Sequence, residues 1–150
     1  MCSSDLIDGR PVTTGPAVPP EGRVDLLTKD GHGLEELVSG RAILATYQRL
    51  AGAQAGGVAD IARRAQVGDR IAGHVLDSAY RTLGAVIAPY IEAFRPEILV
   101  VGGGISAAWS LIEPSLRAGF GNPQLPVVQA ADTEASALRG AAAAVFHPID

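Results

Sequence analysis

The stretch RPEILVVGGGIS, residues 95–106, decides the fold of this 150-residue chain. Pro96 ends any preceding helix, because it has no N–H group and restricts the backbone of Arg95. The run Ile98–Val101 is apolar without alternation, which is typical of a parallel strand buried on both faces. The stretch therefore predicts a buried strand that directly follows a helix.

Three consecutive glycines, Gly102, Gly103 and Gly104, come immediately after that strand. In open α/β sheets ligands bind at the carboxyl ends of strands, and glycine allows a ligand to approach the backbone. A helical pattern resumes after Ser106, so the glycines form a strand-to-helix turn. From the residues alone, a nucleotide-facing turn and a tight structural turn without a ligand are equally good interpretations.

Composition predicts one globular domain with a real core, because 47% of the residues are hydrophobic. The net charge of −4 and the dispersed basic residues argue against nucleic-acid binding and against a basic membrane-binding patch. Cys2 is the single cysteine, which excludes an internal disulfide and fits a reducing compartment. With no signal peptide and no apolar run of about 18 residues, a cytoplasmic location without a membrane partner is expected.

Apolar residues at helical spacing predict five helices, which cover Leu34–Leu50, Val58–Gln66, Asp69–Phe94, Ala107–Ala118 and Glu134–Phe146. Asp69 and Asp132 suit the N-cap positions of the third and fifth helices. Gly40 predicts close packing or a kink, and Pro89 a bend or an early end of the third helix. Pro114 leaves open whether the fourth helix is one helix or two. The predicted core faces of the first and third helices are Leu34, Leu37, Val38, Ala42, Ile43, Tyr47, Leu50, Ile71, Val75, Ala79, Leu83, Val86 and Ile87.

Strands are few. A second short strand is predicted at Val127–Ala130, whereas residues 1–33 read as an irregular lead-in to a core of residues 34–150. Within the lead-in, Asp8-Gly9 predicts a hairpin turn, Val24–Leu27 a short strand and Lys29–Gly33 a loop. Alternation of strands and helices indicates an α/β fold, but the strand count is low for a complete sheet. We therefore expect a partial domain whose exposed apolar surface favours a homo-oligomer or a missing amino-terminal domain.

Four stretches carry a family resemblance: LEELVSGRAI (34–43), AQVGDRIA (65–72), RPEILVVGGGIS (95–106) and the closing residues 132–143. In this order and spacing they resemble motifs in the carboxyl-terminal half of the ROK family, which comprises glucokinase-type bacterial sugar kinases and related repressors. The resemblance implies the actin-like ATPase (ribonuclease H-like) α/β fold. This chain would be an incomplete second domain, rich in helix and with a small sheet.

The resemblance also implies an activity for the intact protein, namely ATP-dependent phosphorylation of a hexose or amino-sugar hydroxyl with Mg²⁺. Glu35 matches the glutamate that binds sugar hydroxyls, and a carboxylate can accept several such hydrogen bonds. Stabilisation by the helix dipole is the alternative explanation for Glu35. The glycines at 102–104 would face the adenosine of ATP. His32 is a weaker candidate, because it falls on a glycine of the family pattern and is more simply interpreted as a loop histidine.

Departures from the family pattern limit what this chain can do alone. Neither the family's phosphate-binding loops nor its catalytic aspartate occurs here, so no catalytic residue is assigned and the isolated chain is expected to be inactive. Leu26, Thr28 and Gly33 occupy the positions of zinc-binding cysteines, so no zinc is expected. A non-catalytic sugar-sensing or dimerisation module, as in ROK repressors, is the alternative function. An unrelated α/β domain with a structural glycine turn is a third possibility.

Overall fold

A computed structural model of the chain describes residues 5–7, 10–102 and 108–130. The helices are α1 (Leu34–Val38), α2 (Gly40–Ala51), α3 (Val58–Gln66), α4 (Arg70–Phe94) and α5 (Trp109–Phe120). The strands are β1 (Asp5–Ile7), β2 (Arg10–Val12), β3 (Thr28–Lys29), β4 (His32–Gly33), β5 (Leu99–Val101) and β6 (Val127–Gln129). Two single 3₁₀ turns lie at Pro20–Gly22 and Val24–Leu26.

Helix α4 is the element on which the others pack, and its start confirms the predicted cap. The Asp69 carboxylate accepts the N–H groups of Ile71 and Ala72 at 2.9 and 3.0 Å. The helix continues past Pro89 to Phe94, so the alternative of an early end is wrong. Its amino-terminal two thirds face the helical core, a cluster of buried residues formed by Ile43, Tyr47, Ile61, Ala62, Ala72, Val75, Leu76, Ala79, Tyr80, Ala108 and Ile112.

Helices α4 and α5 cross with their backbones in contact, and a glycine from each helix makes this possible. A Cβ atom at Gly84 would overlap the Leu116 carbonyl oxygen and lie 2.9 Å from the Gly119 Cα. A Cβ atom at Gly119 would likewise overlap the Arg81 carbonyl oxygen. Helix α5 is continuous through Pro114, which settles the prediction in favour of one helix.

The described strands form three separate pairs rather than one sheet. Strands β5 and β6 are parallel, with Val100 opposite Val128, while β1–β2 and β3–β4 are antiparallel hairpins. The Asp8-Gly9 turn lies outside the described residues, but the strands that flank it pair as predicted. Residues 29–33 are not the predicted loop, because Asp30 and Gly31 adopt positive φ angles of 53° and 83° and close a hairpin.

The structure corrects three further predictions in the first half of the chain. The predicted helix Leu34–Leu50 is interrupted at Ser39, whose extended backbone and side-chain bond to the Ala42 N–H make it the N-cap of α2. Val24–Leu26 is a 3₁₀ turn rather than a strand. Leu50 and Ile71 are 44% and 37% exposed and do not belong to the core.

The prediction that the strand is buried on both faces is wrong for β5. Val100 is 57% exposed and Ile98, just before the strand, is 49% exposed. Leu99 and Val101 are half-buried and pack with α4 residues in a cluster centred on Leu116 and Phe120. One face of β5 is thus covered by helices and the other is open. The predicted helix Glu134–Phe146 lies outside the described residues.

Candidate functional site

The carboxyl end of β5 is the first candidate site. Gly102 follows the strand and is exposed, and a Cβ atom there would lie 3.6 Å from the Ala130 Cβ. The Ala130 N–H donates to the Val101 carbonyl at 2.9 Å, which fixes the last residue of β5 against β6. Gly103 and Gly104 lie outside the described residues. At Gly102 the parallel pair therefore ends in an open strand terminus without a side chain, as a ligand-facing turn requires.

The first turn of α1 is the second candidate site, and it carries Glu35. Packing and a hydrogen bond fix this turn to the rest of the protein, because Leu34 is 1% exposed and its N–H donates to the Leu27 carbonyl at 2.8 Å. Leu34 packs with Leu27 and Val38 against residues of α4. Glu35 is half-buried next to this anchor. Its backbone position is therefore fixed by packing, which is what a ligand-orienting carboxylate needs.

His32 and Glu36 form an exposed pair beside Glu35. The Glu36 carboxylate accepts the Gly33 N–H at 3.3 Å and lies 3.7 Å from the His32 Nδ1. The His32 and Glu36 side chains are 66% and 70% exposed. Glu36 thus has a role at the helix start, whereas the imidazole of His32 lies at the surface beside it.

The two candidate sites rest on one helix. The cluster below α1 includes Val86 and Tyr90 of α4, and the cluster below β5 includes Ile87 and Ile91 of the same helix. Leu83 belongs to both clusters. The carboxyl-terminal half of α4 therefore sets the separation of Glu35 and the glycine turn.

A polar network that the sequence did not reveal lies at the other end of α4. The buried Tyr47 hydroxyl donates to Asp69 at 2.7 Å and accepts from Arg64 at 3.1 Å. Arg64 also pairs with Asp60 at 2.9 Å. The Ala72 N–H and the Tyr47 hydroxyl lower the pKa of Asp69. Every member is satisfied by protein groups, so the network joins α2, α3 and α4 and has a structural role.

An apolar cavity of about 350 Å³ lies between the lead-in and β5, and we call it the apolar slot. Its wall is formed by Val12, Ala17, Val18, Pro19, Val24, Ile87, Tyr90, Ile91, Phe94, Pro96, Ile98 and Leu99. None of these residues is charged. The hydroxyl of Tyr90 is the one side-chain polar group among them, which makes the apolar slot unlike a sugar or phosphate site.

The part of the chain that the structure describes shows neither a metal-binding cluster nor a membrane-spanning helix. Among residues 5–7, 10–102 and 108–130, no group of three or more His, Cys, Asp or Glu side chains is arranged to hold a metal ion. Within the same ranges, no helix has the length and hydrophobicity to cross a membrane.

The fold and the site define the class of protein as a helix-rich α/β domain with Gly102 at the open end of a parallel strand, and comparison with known proteins identifies the family. The model of the ROK family matches residues 28–147. The chain therefore belongs to the ROK family.

Relatives include both sugar kinases and a regulator. A segment of 53 residues is 42% identical to the glucokinase of Thermotoga maritima, covering 35% of this chain and 17% of the enzyme. A putative sugar kinase from Cytophaga hutchinsonii superposes with a TM-score of 0.74 at 21% identity, over 95% of this chain and 53% of that one. A ROK family transcriptional regulator, a homologue of the E. coli MLC protein, superposes with a TM-score of 0.71 at 25% identity, over 93% and 41%. The chain thus spans about half the length of its structural relatives or less.

Proposed function

We propose that this chain supplies the sugar-orienting and nucleoside-facing half of an ATP-dependent sugar kinase. It corresponds to the second domain of an actin-like ATPase fold. The supporting observation is the ROK match over residues 28–147, which contains both Glu35 and the glycine turn. The glucokinase of Streptomyces griseus, of the same family, has been solved with glucose and AMPPNP and superposes on this chain with a TM-score of 0.59 at 24% identity.

In this proposal the residues have distinct roles. The Glu35 carboxylate accepts hydrogen bonds from two hydroxyls of a hexose or amino sugar, and packing of Leu34 below it keeps the carboxylate in place. Gly102, together with Gly103 and Gly104, seats the nucleoside of ATP. His32 is the weaker sugar-site candidate of the same turn.

Chemistry in the intact protein requires groups that this chain does not provide. Phosphoryl transfer depends on positioned phosphates and a base for the sugar hydroxyl, and Mg²⁺ is held largely by the phosphates themselves. We assign no catalytic base and no Mg²⁺ ligand to the described residues. The isolated chain therefore binds sugar weakly and does not turn it over.

Calorimetry with glucose, N-acetylglucosamine and ATP tests the proposal, together with a coupled kinase assay on the purified chain. We expect heat from one of the sugars and no turnover. Glu35→Gln should weaken sugar binding about tenfold or more, since a hydrogen bond to a charged group contributes about 1.5–3 kcal/mol. Glu36→Gln is the matched control, because its amide still accepts the Gly33 N–H. Equal sugar affinity in both variants would contradict the role of Glu35.

A sugar-sensing module is the second candidate function. Its support is the ROK transcriptional regulator, which superposes over 93% of this chain. A sensor needs sugar binding but no nucleotide. Sugar binding without detectable ATP binding, in the unmodified chain and in Gly102→Val alike, would favour the sensor. ATP binding that Gly102→Val weakens would favour the kinase half.

A further inference from the structure

The turn between α3 and α4 holds a valine side chain in solvent. Val67 is 83% exposed, which is more than any other large hydrophobic residue of the described ranges. Its backbone is nevertheless fixed, because its N–H donates to the Arg63 and Arg64 carbonyls at 3.3 and 3.2 Å. The Asp69 N–H also donates to the Arg64 carbonyl, at 2.9 Å. The fold therefore presents Val67 to solvent in one fixed position.

Arg70 follows this turn at a position that disfavours a cation. It is the first residue of α4, where the helix dipole stabilises negative side chains and opposes positive ones. Arg70 is exposed, and the described residues offer it no ion pair or hydrogen bond. Folding stability thus explains neither Val67 nor Arg70, and residues that depart from local rules without compensation are expected at functional sites.

Positive charge is concentrated around these two residues. Residues 41–70 contain five arginines and two aspartates, although the net charge of the chain is −4. Arg63 lies one helical turn before Val67, so the two side chains share a face of α3, and the Arg63 side chain is 72% exposed. Ile71, which is 37% exposed, adds apolar surface next to Arg70. We call Arg63, Val67, Arg70 and Ile71 the helix-junction surface.

Both aspartates of this segment are already engaged in the fold. Asp60 pairs with Arg63 and Arg64 at 2.6 and 2.9 Å. The Asp69 carboxylate caps α4 and accepts the Tyr47 hydroxyl at 2.7 Å, which ties the junction to α2. The helix-junction surface is therefore basic, with an apolar centre on a rigid support. A surface that is rigid before binding loses little conformational entropy when a partner docks.

We propose that the helix-junction surface binds an acidic segment of another protein through one apolar anchor residue. The anchor packs on Val67 and Ile71, and carboxylates on either side of it pair with Arg63 and Arg70. Arginine suits this role, because its planar guanidinium can bond a carboxylate with two N–H groups at once. Nucleic acid fits less well, since the chain as a whole is acidic and residues 60–71 contain no aromatic side chain on which a base could stack.

The first test uses an acetylated and amidated peptide in which one phenylalanine is flanked by two glutamates on each side. Added to the full chain, it should shift the backbone amide signals of Val67 and Arg70 with a Kd of about 1 mM or tighter. Raising the salt concentration from about 50 to about 300 mM should weaken this binding severalfold. Peptides with serine in place of phenylalanine, or lysine in place of glutamate, should bind at least about threefold more weakly. Unchanged amide signals at about 1 mM glutamate peptide would overturn the proposal.

Arg70→Glu separates binding from folding, because the two effects have opposite signs. The reversed charge should weaken the glutamate peptide about fivefold or more. The same glutamate lies at the start of α4, where it should raise the midpoint of urea unfolding. Arg49→Glu is the matched control, since Arg49 is also exposed but lies about 200° around α2 from Tyr47. Equal peptide affinity in the two variants would contradict the role of Arg70.

Two other occupants are distinguished in the same series. A single-stranded oligothymidylate that binds the Val67 and Arg70 amides more tightly than the glutamate peptide would assign the surface to nucleic acid and overturn the proposal. An oligomer in sedimentation velocity that dissociates in Arg70→Glu but not in Arg49→Glu would assign it to a second copy of this chain, with the same consequence. The proposal does not depend on the sugar-kinase function, because Glu35 and Gly102 lie next to clusters on the carboxyl-terminal half of α4.

Discussion

The two ends of helix α4 differ in how completely they are covered, although they belong to one continuous helix. Around its first two thirds, Tyr47, Ile61 and Leu76 are at most 2% exposed, and the polar groups between α2, α3 and α4 are paired. Around its last third, Phe94 is 64% exposed and Val100 of the adjacent strand is 57% exposed. The enclosed region is a closely packed core, while the open region exposes apolar surface and, among the described strands, one edge of β5 that pairs with no other strand.

The difference indicates where stability and function separate. Local unfolding costs least where few apolar contacts are buried. The amide protons of β5 should therefore exchange with solvent faster than those of the helical core. Gly102 and Glu35 both lie next to clusters on the carboxyl-terminal half of α4, so the candidate site belongs to the side of the open region.

The largest expected effect comes from the crossing that joins the two regions. Gly119→Ala places a methyl group against the backbone carbonyl of Arg81, so α4 and α5 must move apart. We expect the free energy of unfolding, measured with urea, to fall by about 1–3 kcal/mol. This loss outweighs the better helix propensity of alanine.

Gly73→Ala is the matched control for this change, because Gly73 lies within α4 and a Cβ atom there would meet nothing within 4 Å. It should stabilise the protein by up to about 1 kcal/mol. If both substitutions change stability in the same direction, the backbone contact between α4 and α5 is not what requires Gly119.

Two tyrosines compare the enclosed and open regions directly. Tyr47→Phe removes a buried hydroxyl that joins Asp69 and Arg64 and should cost about 1–3 kcal/mol, since both partners are charged. Tyr90→Phe, at the apolar slot, should change the free energy of unfolding by less than about 0.5 kcal/mol, because the described residues give its hydroxyl no hydrogen bond. Urea unfolding of both variants measures the difference, and equal losses would contradict the contrast between the two regions.

Sequence patterns predicted the helices well where local signals agreed. The bounds of α3 are those expected from apolar spacing, and the Asp69 cap fixed the start of α4. Local signals failed where they competed. Ser39 lies inside a helical apolar pattern but acts as an N-cap. Asp30-Gly31 is the same dipeptide that predicts a turn at residues 8–9, but the glycines and histidine around it favour a loop over a hairpin.

Features of the candidate site that depend on distant residues were beyond reach of the sequence. Gly84 and Gly119 each look like a helix-weakening glycine, and only the crossing of α4 and α5 shows that they belong together. The apolar run of β5 predicted burial on both faces, because the pattern cannot reveal whether another element covers the second face of the strand. The candidate roles of Glu35 and the glycine turn came from the family resemblance and stay predictions.

The smallest expected effect lies at the joint between α4 and β5. Arg95 adopts a left-handed conformation, with φ and ψ of 53° and 56°, as the residue that ends α4. This conformation costs an ordinary side chain roughly 1–2 kcal/mol, and asparagine tolerates it better. Arg95→Asn should therefore stabilise the protein by a few tenths to about 1 kcal/mol in urea unfolding. Arg49→Asn, on the exposed face of α2, should instead cost a few tenths, because asparagine is the poorer helix former. If Arg95→Asn stabilises the protein and Arg49→Asn destabilises it, the backbone strain lies at Arg95. A loss of stability at both positions would show that the Arg95 side chain itself contributes to stability.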